Sequence, residues 1–307
     1  MPPQGVIKQD RLVDTCPPLS ESGGRPAPDR SADYNVNETR MTTHRTTALA
    51  YDAFMGRWSR LVAHDFLAWL SVPAHGRWLD VGCGTGALAS AILQSASPSE
   101  VWGIDPSEEY IAYARASLPQ ERCHLLVADA QALPHEFSDF DATDFDATVS
   151  GLALNLVPEP MAALGEMIRV TRPNGLVAAY VWDFASGMQL LRYLWDAATK
   201  FDPTTEELDQ GKCFPICHPD RLRALFTESG VRAVEVRALQ VPTIFRDFED
   251  YWSPFLTGHG RAPGYVMSLS EDQRSRLRES IQEVLPTRSD GSIHLSARAW
   301  AVRGTKS

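Results

Sequence analysis

The stretch Leu79-Asp80-Val81-Gly82-Cys83-Gly84-Thr85-Gly86-Ala87-Leu88-Ala89 runs an apolar strand into three closely spaced glycines and out into a helix. Glycines at such a junction let the chain turn tightly and let a ligand approach the backbone. The free amides at the helix start favour an anionic group. Working outward, Arg77 to Val81 reads as the first strand. It is preceded by a helix on Leu61, Val62, Phe66, Leu67 and Leu70, which Pro73 and Gly76 stop. A helix from Ala87 to Leu93 and four further strands with interleaved helices follow. Strands are expected at Val101–Ile104, His124–Val127, Ala147–Ser150 and Gly175–Val181, with helices at Glu108–Ser117 and Met161–Val170. A helix from Asp220 to Ser229 and strands at Val231–Leu239 and Ile293–Val302 complete the pattern. Strands alternating with helices predict an α/β fold: a doubly wound, seven-stranded, mostly parallel sheet whose ligands sit at the carboxyl ends of the strands. Residues 184–229 and 248–285 are expected to supply helical lid segments.

The chain has 307 residues, a formal net charge of -10, 44% hydrophobic residues and 22% charged residues. That is an ordinary globular mixture, long enough to bury a sizeable core. The acidity is local: Glu100 to Glu166 holds thirteen Asp/Glu against two Arg. A general nucleic-acid binder needs the opposite balance. Such a run is usually a solvated face; the functional reading is that part of it lines a site for a cationic ligand. No apolar run is long enough to span a bilayer, and residues 1–10 lack the apolar centre of a secretory signal. A cytoplasmic protein is therefore expected. Residues 1–44, rich in Pro, Gly and Ser, read as a disordered tail. Met41 is a candidate alternative start, and residues 45–307 are read as the functional domain. Five cysteines without paired spacing argue against a disulfide scaffold.

The glycines alone leave two readings open. Gly82-x-Gly84-x-x-Ala87, with Asp105 further on, also fits a dinucleotide-binding fingerprint. Two acids tilt the choice. Asp80 directly before the glycines is awkward beside a pyrophosphate but suits a ligand carrying an ammonium and a sulfonium. Asp129 ends the third strand, placed to accept from an adenine amino group. The plain alternative is that Asp105 and Asp129 cap helices.

With these residues in view, the sequence resembles a class I S-adenosylmethionine-dependent methyltransferase. It is similar to the small-molecule branch that includes ubiquinone- and menaquinone-biosynthesis-type enzymes. The resemblance runs over residues 48–303 and is strongest from 77 to 181. It implies S-adenosylmethionine as cofactor and a small, aromatic or lipophilic acceptor methylated at O, N or C by in-line displacement. The Asp80-to-Gly86 loop, with Gly82, Gly84 and Gly86, matches the first motif. Gly103-Ile104-Asp105-Pro106-Ser107 matches the second, implying that Asp105 binds the ribose hydroxyls beside Pro106. Asp129-Ala130 resembles the adenine-binding pair. Phe145 to Ser150, with Asn155, resembles the motif that runs past the sulfonium. Tyr51 to Arg60 resembles an N-terminal helix closing over the cofactor, with Tyr51 and Arg60 as candidates to hold its carboxylate. The family implies no universal catalytic residue. His218, Asn155 and Asp183 are the candidates this chain offers, each with a structural alternative: a helix-start histidine, a backbone-satisfying amide, a strand-end acid.

Two sequence features bear on details. Asp139-Phe140-Asp141-Ala142-Thr143 repeats as Asp144-Phe145-Asp146-Ala147-Thr148, and the strand is placed on the second copy because Val149-Ser150 continues it. Trp182, Tyr193, Trp195, Tyr251, Trp252 and Phe255 form a candidate aromatic substrate pocket, though aromatics at such spacings are more often core. Cys213-x-x-x-Cys217-His218 hints at a metal, but no second ligand cluster accompanies it, and none is expected. The alternatives carried forward are a nicotinamide oxidoreductase, a non-catalytic S-adenosylmethionine-binding protein, and a methyltransferase for protein substrates using the tail as a docking arm.

Overall fold

Strand β1 (Arg77–Val81) lies inside the sheet, flanked on both sides by other strands, and its alternating side chains set up two cores. Trp78 packs into one apolar cluster, while Leu79 and Val81 pack into the other. The same alternation runs along β5 (Thr171–Trp182), where Ala178, Tyr180 and Trp182 face the first cluster and Val177, Ala179 and Val181 the second. A strand apolar on both faces must be covered on both, which is the signature of a sheet sandwiched between helices. The computed structural model describes residues 52–137, 145–257 and 260–307. The expected tail and Tyr51 lie outside them.

The sheet has seven strands in the order β3-β2-β1-β4-β5-β7-β6. The others are β2 (Glu100–Asp105), β3 (Cys123–Val127), β4 (Phe145–Gly151), β6 (Arg232–Phe245) and β7 (Ile293–Thr305). Pairings from β3 across to β5 are parallel; β7 runs antiparallel between β5 and β6. The chain winds outward from β1 through β2 to β3, then crosses back to β4. The reversal therefore falls between β1 and β4, where such sheets open a crevice at the strand ends.

Helix α1 (Arg57–Leu70) buries Trp58, Val62, Phe66 and Leu70, and the Phe66 ring meets Tyr180 of β5 at 4.6 Å between centroids. Helices α2 (Ala87–Ser95) and α3 (Glu108–Ser117) join α1 in the first cluster, and α4 (Pro160–Val170) fills the second. Pro160 opens α4 at a position where its missing N–H costs nothing. Helix α5 (Gln189–Phe201) and helix α8 (Glu271–Val284) pack on each other, with α7 (Arg261–Ser268) nearby in the chain. Helix α6 (Pro219–Glu228) lies on β6 and β7.

Three boundaries differ from the sequence expectation. Strand β5 starts at Thr171, immediately after α4, and the turn expected before it becomes a bulge within it. Thr171 pairs with Phe145, Leu176 pairs with Ala147, and Asn174 takes φ 60° between them. Strand β6 continues past Leu239 to Phe245 through Pro242, which a sheet edge tolerates. Strand β7 extends to Thr305, three residues beyond the expected end. The strand does fall on the second copy of the repeat. Asp146 fixes it there, accepting from Arg77 N at 2.7 Å and from Arg172 Nε at 2.7 Å. The whole first copy, and Asp144 of the second, lie outside the described residues. Among the described residues, no helix is long and apolar enough to cross a membrane.

Candidate functional site

The crevice is built from the β1 turn. Gly82, Gly84 and Gly86 adopt φ of 75°, 52° and 86°, a region that L side chains rarely enter. The N–H groups of Gly82 and Cys83 both donate to Ile104 O at 2.8 Å, pinning the turn to the end of β2. At Gly82 a Cβ would sit 2.4 Å from Ala153 Cβ, so the loop after β4 closes directly over the glycine.

Two acids flank this turn. Asp80 is fully buried, and both its carboxylate oxygens lack a hydrogen-bond partner. Burial pushes its pKa up to about 8; the Ala89 N–H opposes the rise without closing a hydrogen bond of ordinary geometry, and the nearby Asp105 charge adds to it. Asp105 ends β2. Its Oδ1 accepts from Ser107 N at 2.9 Å and its Oδ2 from Gly84 N at 3.0 Å, so it bridges two strand ends. Burial raises its pKa, and those two amides hold the rise back. Helix α3 is capped by Ser107, which accepts from Tyr110 N, so Asp105 is not the cap residue itself. Cys83, buried in the turn, has its thiol pushed well up by burial and by both carboxylates, which suits a packing group better than a nucleophile.

A cavity of about 430 Å³ opens from these residues. Its glycine-loop end is lined by Asp80, Gly82, Cys83, Gly84, Thr85, Asp105 and Tyr110. Its middle is lined by Gly151, Leu152, Ala153 and Asn155, and by Phe54, Met55 and Ser59 from the N-terminal helical segment. Tyr180, paired with Gly151, belongs to the middle, and the far end is lined by Trp182, Phe184, Leu191, Gln210, Phe214, Gly260 and Arg261. Burial lowers the Arg261 pKa, and its guanidinium lies 5.9 Å from the Phe214 ring centroid.

Of the residues expected from sequence, Asp80, Gly82, Gly84, Asp105 and Asn155 come together on this wall. Gly86 and Ser150 are buried in the elements beside it. Pro106 and Asp129 are exposed, and the Asp129 Oδ1 accepts from Gln131 N at 2.9 Å; Ala130 packs into the second core cluster. Arg60 is on the exposed side of α1 and does not line the cavity.

Two of the three catalytic candidates are placed elsewhere. His218 is the N-cap of α6, accepting from Asp220 N at 3.4 Å, and is exposed away from the cavity. Asp183 turns from the cavity into an ion pair, 2.6 Å from Arg298, and also accepts from Ser186. The aromatic expectation holds only for Trp182. Trp195, Tyr251, Trp252 and Phe255 belong to the core, since large rings at helical spacing gain most from full burial. The segment expected as a lid divides: Phe184, Leu191, Gln210 and Phe214 reach the cavity, whereas α6 belongs to the helical layer on the sheet. Among the described residues, no group of three or more potential ligands could hold a metal ion. Sequence reasoning missed Phe184, Gln210, Phe214 and Arg261, which are far apart in sequence and carry no motif.

A family profile described as a methyltransferase domain matches residues 79–179. Over 181 residues the chain is 30% identical to a demethylmenaquinone methyltransferase from Staphylococcus carnosus, a span covering 55% of this chain and 73% of that protein. It is 30% identical over 195 residues to the corresponding Shouchella clausii protein, covering 57% and 78%. Among solved structures, a putative methyltransferase from Bacillus halodurans superposes with a TM-score of 0.52 at 16% identity, covering 80% of this chain and 98% of that one. A Haemonchus contortus phosphoethanolamine N-methyltransferase, solved with S-adenosylhomocysteine, gives 0.52 at 14% identity, covering 91% and 61%. At these identities the structural matches speak for the fold.

Proposed function

The chain belongs to the class I S-adenosylmethionine-dependent methyltransferases, on the branch of the demethylmenaquinone methyltransferases, and from that premise we propose how its cavity is used. The enzyme transfers a methyl group to a small acceptor. The glycine-loop end binds S-adenosylmethionine, and the apolar far end binds a planar, quinol-like aromatic. The observation that carries the first assignment is Asp80. A buried carboxylate with both oxygens orphaned is costly, and a cationic ligand group nearby offsets that cost. The close packing of Gly82 on Ala153 leaves the turn no room for a side chain. In this reading Asp80 favours the ammonium, the amides of Gly82 to Gly86 the carboxylate, and Asp105 the ribose hydroxyls. Asp129 and Ala130 border the adenine beyond the cavity wall, Pro106 and Ser150 shape the neighbouring strand ends, and Asn155 stands beside the path of the methyl group. Arg60 keeps at most a peripheral role.

When bound, the cofactor supplies the electrophilic methyl. The protein's part is to align acceptor and donor and to exclude water. The relatives' names point to an acceptor of the demethylmenaquinone kind, and the aromatic wall of Phe184, Trp182 and Phe214 suits such a ring. We further propose that residues 45–307 are the functional domain, acting in the cytoplasm. A chain beginning at Met41 is expected to bind cofactor as the full chain does.

Calorimetric titration of the full chain with S-adenosylhomocysteine tests the cofactor assignment. Micromolar binding is expected; none, with folded protein, overturns it. Release of S-adenosylhomocysteine on adding S-adenosylmethionine and dihydroxynaphthalene, a quinol-type acceptor, tests the acceptor class.

A further inference from the structure

The far end of the cavity presents a hydrogen-bond donor whose orientation is settled by a group outside the cavity. Gln210 is buried, and its Oε1 accepts a 2.7 Å hydrogen bond from Trp195 Nε1. An indole N–H can only donate, so the amide cannot be turned round. Its oxygen is committed to Trp195, and its NH2 is left to the cavity that Gln210 lines. The backbone that carries it is held as firmly. Arg192 donates to both oxygens of Asp209, at 3.0 and 2.6 Å, and Asp209 Oδ1 also accepts from Gly211 N at 2.8 Å. Gly211 sits so close to Ala185 that a Cβ there would approach its Cα to 2.8 Å. A donor fixed in this way is preorganised: its ordering cost is met during folding, not on binding.

The surroundings determine what such a donor can select. The two carboxylates on the cavity wall, Asp80 and Asp105, stand at the glycine loop. Among the described lining residues the only cation is Arg261, at the Gln210 end over the Phe214 ring. The Phe184 and Phe214 rings, 5.8 Å apart between centroids, supply an apolar wall. The cavity is thus electrostatically divided, with acids at one end and donors at the other.

We propose that Gln210 is a specificity-determining residue: its NH2 holds an ionised hydroxyl oxygen of the acceptor, selecting aromatic acceptors that bind as phenolate-type anions. Arg261 favours the same charge state. The proposal rests on the methyltransferase reading of the cavity and narrows its acceptor class.

The test compares two probes on one ring frame, hydroxynaphthoquinone, ionised at neutral pH, and naphthoquinone, which lacks the hydroxyl. Each is titrated calorimetrically into the full chain with and without S-adenosylhomocysteine. A hydrogen bond to a charged group predicts at least about tenfold tighter binding of hydroxynaphthoquinone. The decisive variant is Gln210→Glu, because a carboxylate still accepts from Trp195 but turns an oxygen toward the acceptor. It is expected to lose the preference while binding S-adenosylhomocysteine as before. Gln210→Met, which removes the donor without adding charge, should shrink the preference severalfold, to what Arg261 alone supplies; an undiminished preference in this variant overturns the proposal. Equal binding of the two probes by the unaltered chain overturns the proposal without recourse to any variant. So does a preference that survives in Gln210→Glu. Failure to bind S-adenosylhomocysteine would instead overturn the cofactor assignment, while the probe ratio still decides the role of Gln210.

Discussion

Asp80 shows how one side chain couples this protein to pH. Its carboxyl is pushed to about 8 in the fold, against an ordinary value of 3.8. Between those limits the folded chain holds a proton that the unfolded chain has released. Stability should therefore fall as pH rises from about 4 to about 8 and level off above that range. Asp80→Asn is expected to flatten the slope, read from urea denaturation at several pH values. A cationic ligand favours the ionised form, so S-adenosylhomocysteine binding should expel a proton and tighten as pH rises toward 8. Calorimetry in buffers of different ionisation heat reads that proton directly. Asp105→Ala should weaken S-adenosylhomocysteine binding by about 1–3 kcal/mol; unchanged affinity would remove Asp105 from the ribose. The glycines are not equivalent. At Gly84 an added Cβ meets nothing within 4 Å, so Gly84→Ala should cost only the backbone strain of about 1–2 kcal/mol. Gly82→Ala adds the collision with Ala153 and should cost about 1–3 kcal/mol more. Thermal melts of the two variants make the comparison.

At the scale of elements, α5 does the positioning. From one helix, Trp195 fixes the Gln210 amide and Arg192 holds Asp209, so the short helix Gln210–Cys213 is carried by α5 rather than by the sheet. The side chains of Arg192 and Asp209 are only 16% and 10% exposed, so removing one partner strands the other. Arg192→Ala should destabilise the fold by about 3 kcal/mol and raise the acceptor KM, with S-adenosylhomocysteine affinity unchanged. Asp183, at the end of β5, is read as a structural partner of Arg298. Asp183→Asn should accordingly lower the melting temperature, and His218→Ala should cost about 0.5–2 kcal/mol, the worth of a helix cap, with turnover retained. The helices named in advance were those with simple apolar spacing. The extension of β6 through Pro242 was hidden because proline reads as a strand breaker, and only its place on the sheet edge makes it harmless.

Over the whole molecule, ligand binding and stability should be linked. S-adenosylhomocysteine at about a hundred times its Kd should stabilise the chain by about 2.7 kcal/mol, raising its melting temperature, while a nicotinamide dinucleotide should leave it unchanged. The strand order and its reversal between β1 and β4 came from the tertiary structure. The seven strands and their alternation with helices were legible because they follow from local patterns: apolar runs, a glycine turn, helices of repeating period. The same holds for Asp80, Gly82, Gly84 and Asp105, which lie within or next to strand ends whose direction the parallel topology dictates. The amino-acid sequence thus determined the class of fold and the glycine-loop end of the cavity, since neighbours in sequence there are neighbours in space. The far end was decided only by the tertiary structure. Trp182 reaches it from β5, Gln210 from a short helix held by α5, and Arg261 from the start of α7. Trp182 was a candidate in the sequence, but nothing in the spacing of Gln210 and Arg261 marks them, because long-range packing alone sets which face of each segment the cavity receives. It also sent Asp183 to Arg298 and His218 to a helix cap, where each meets a polar partner that the open cavity does not offer.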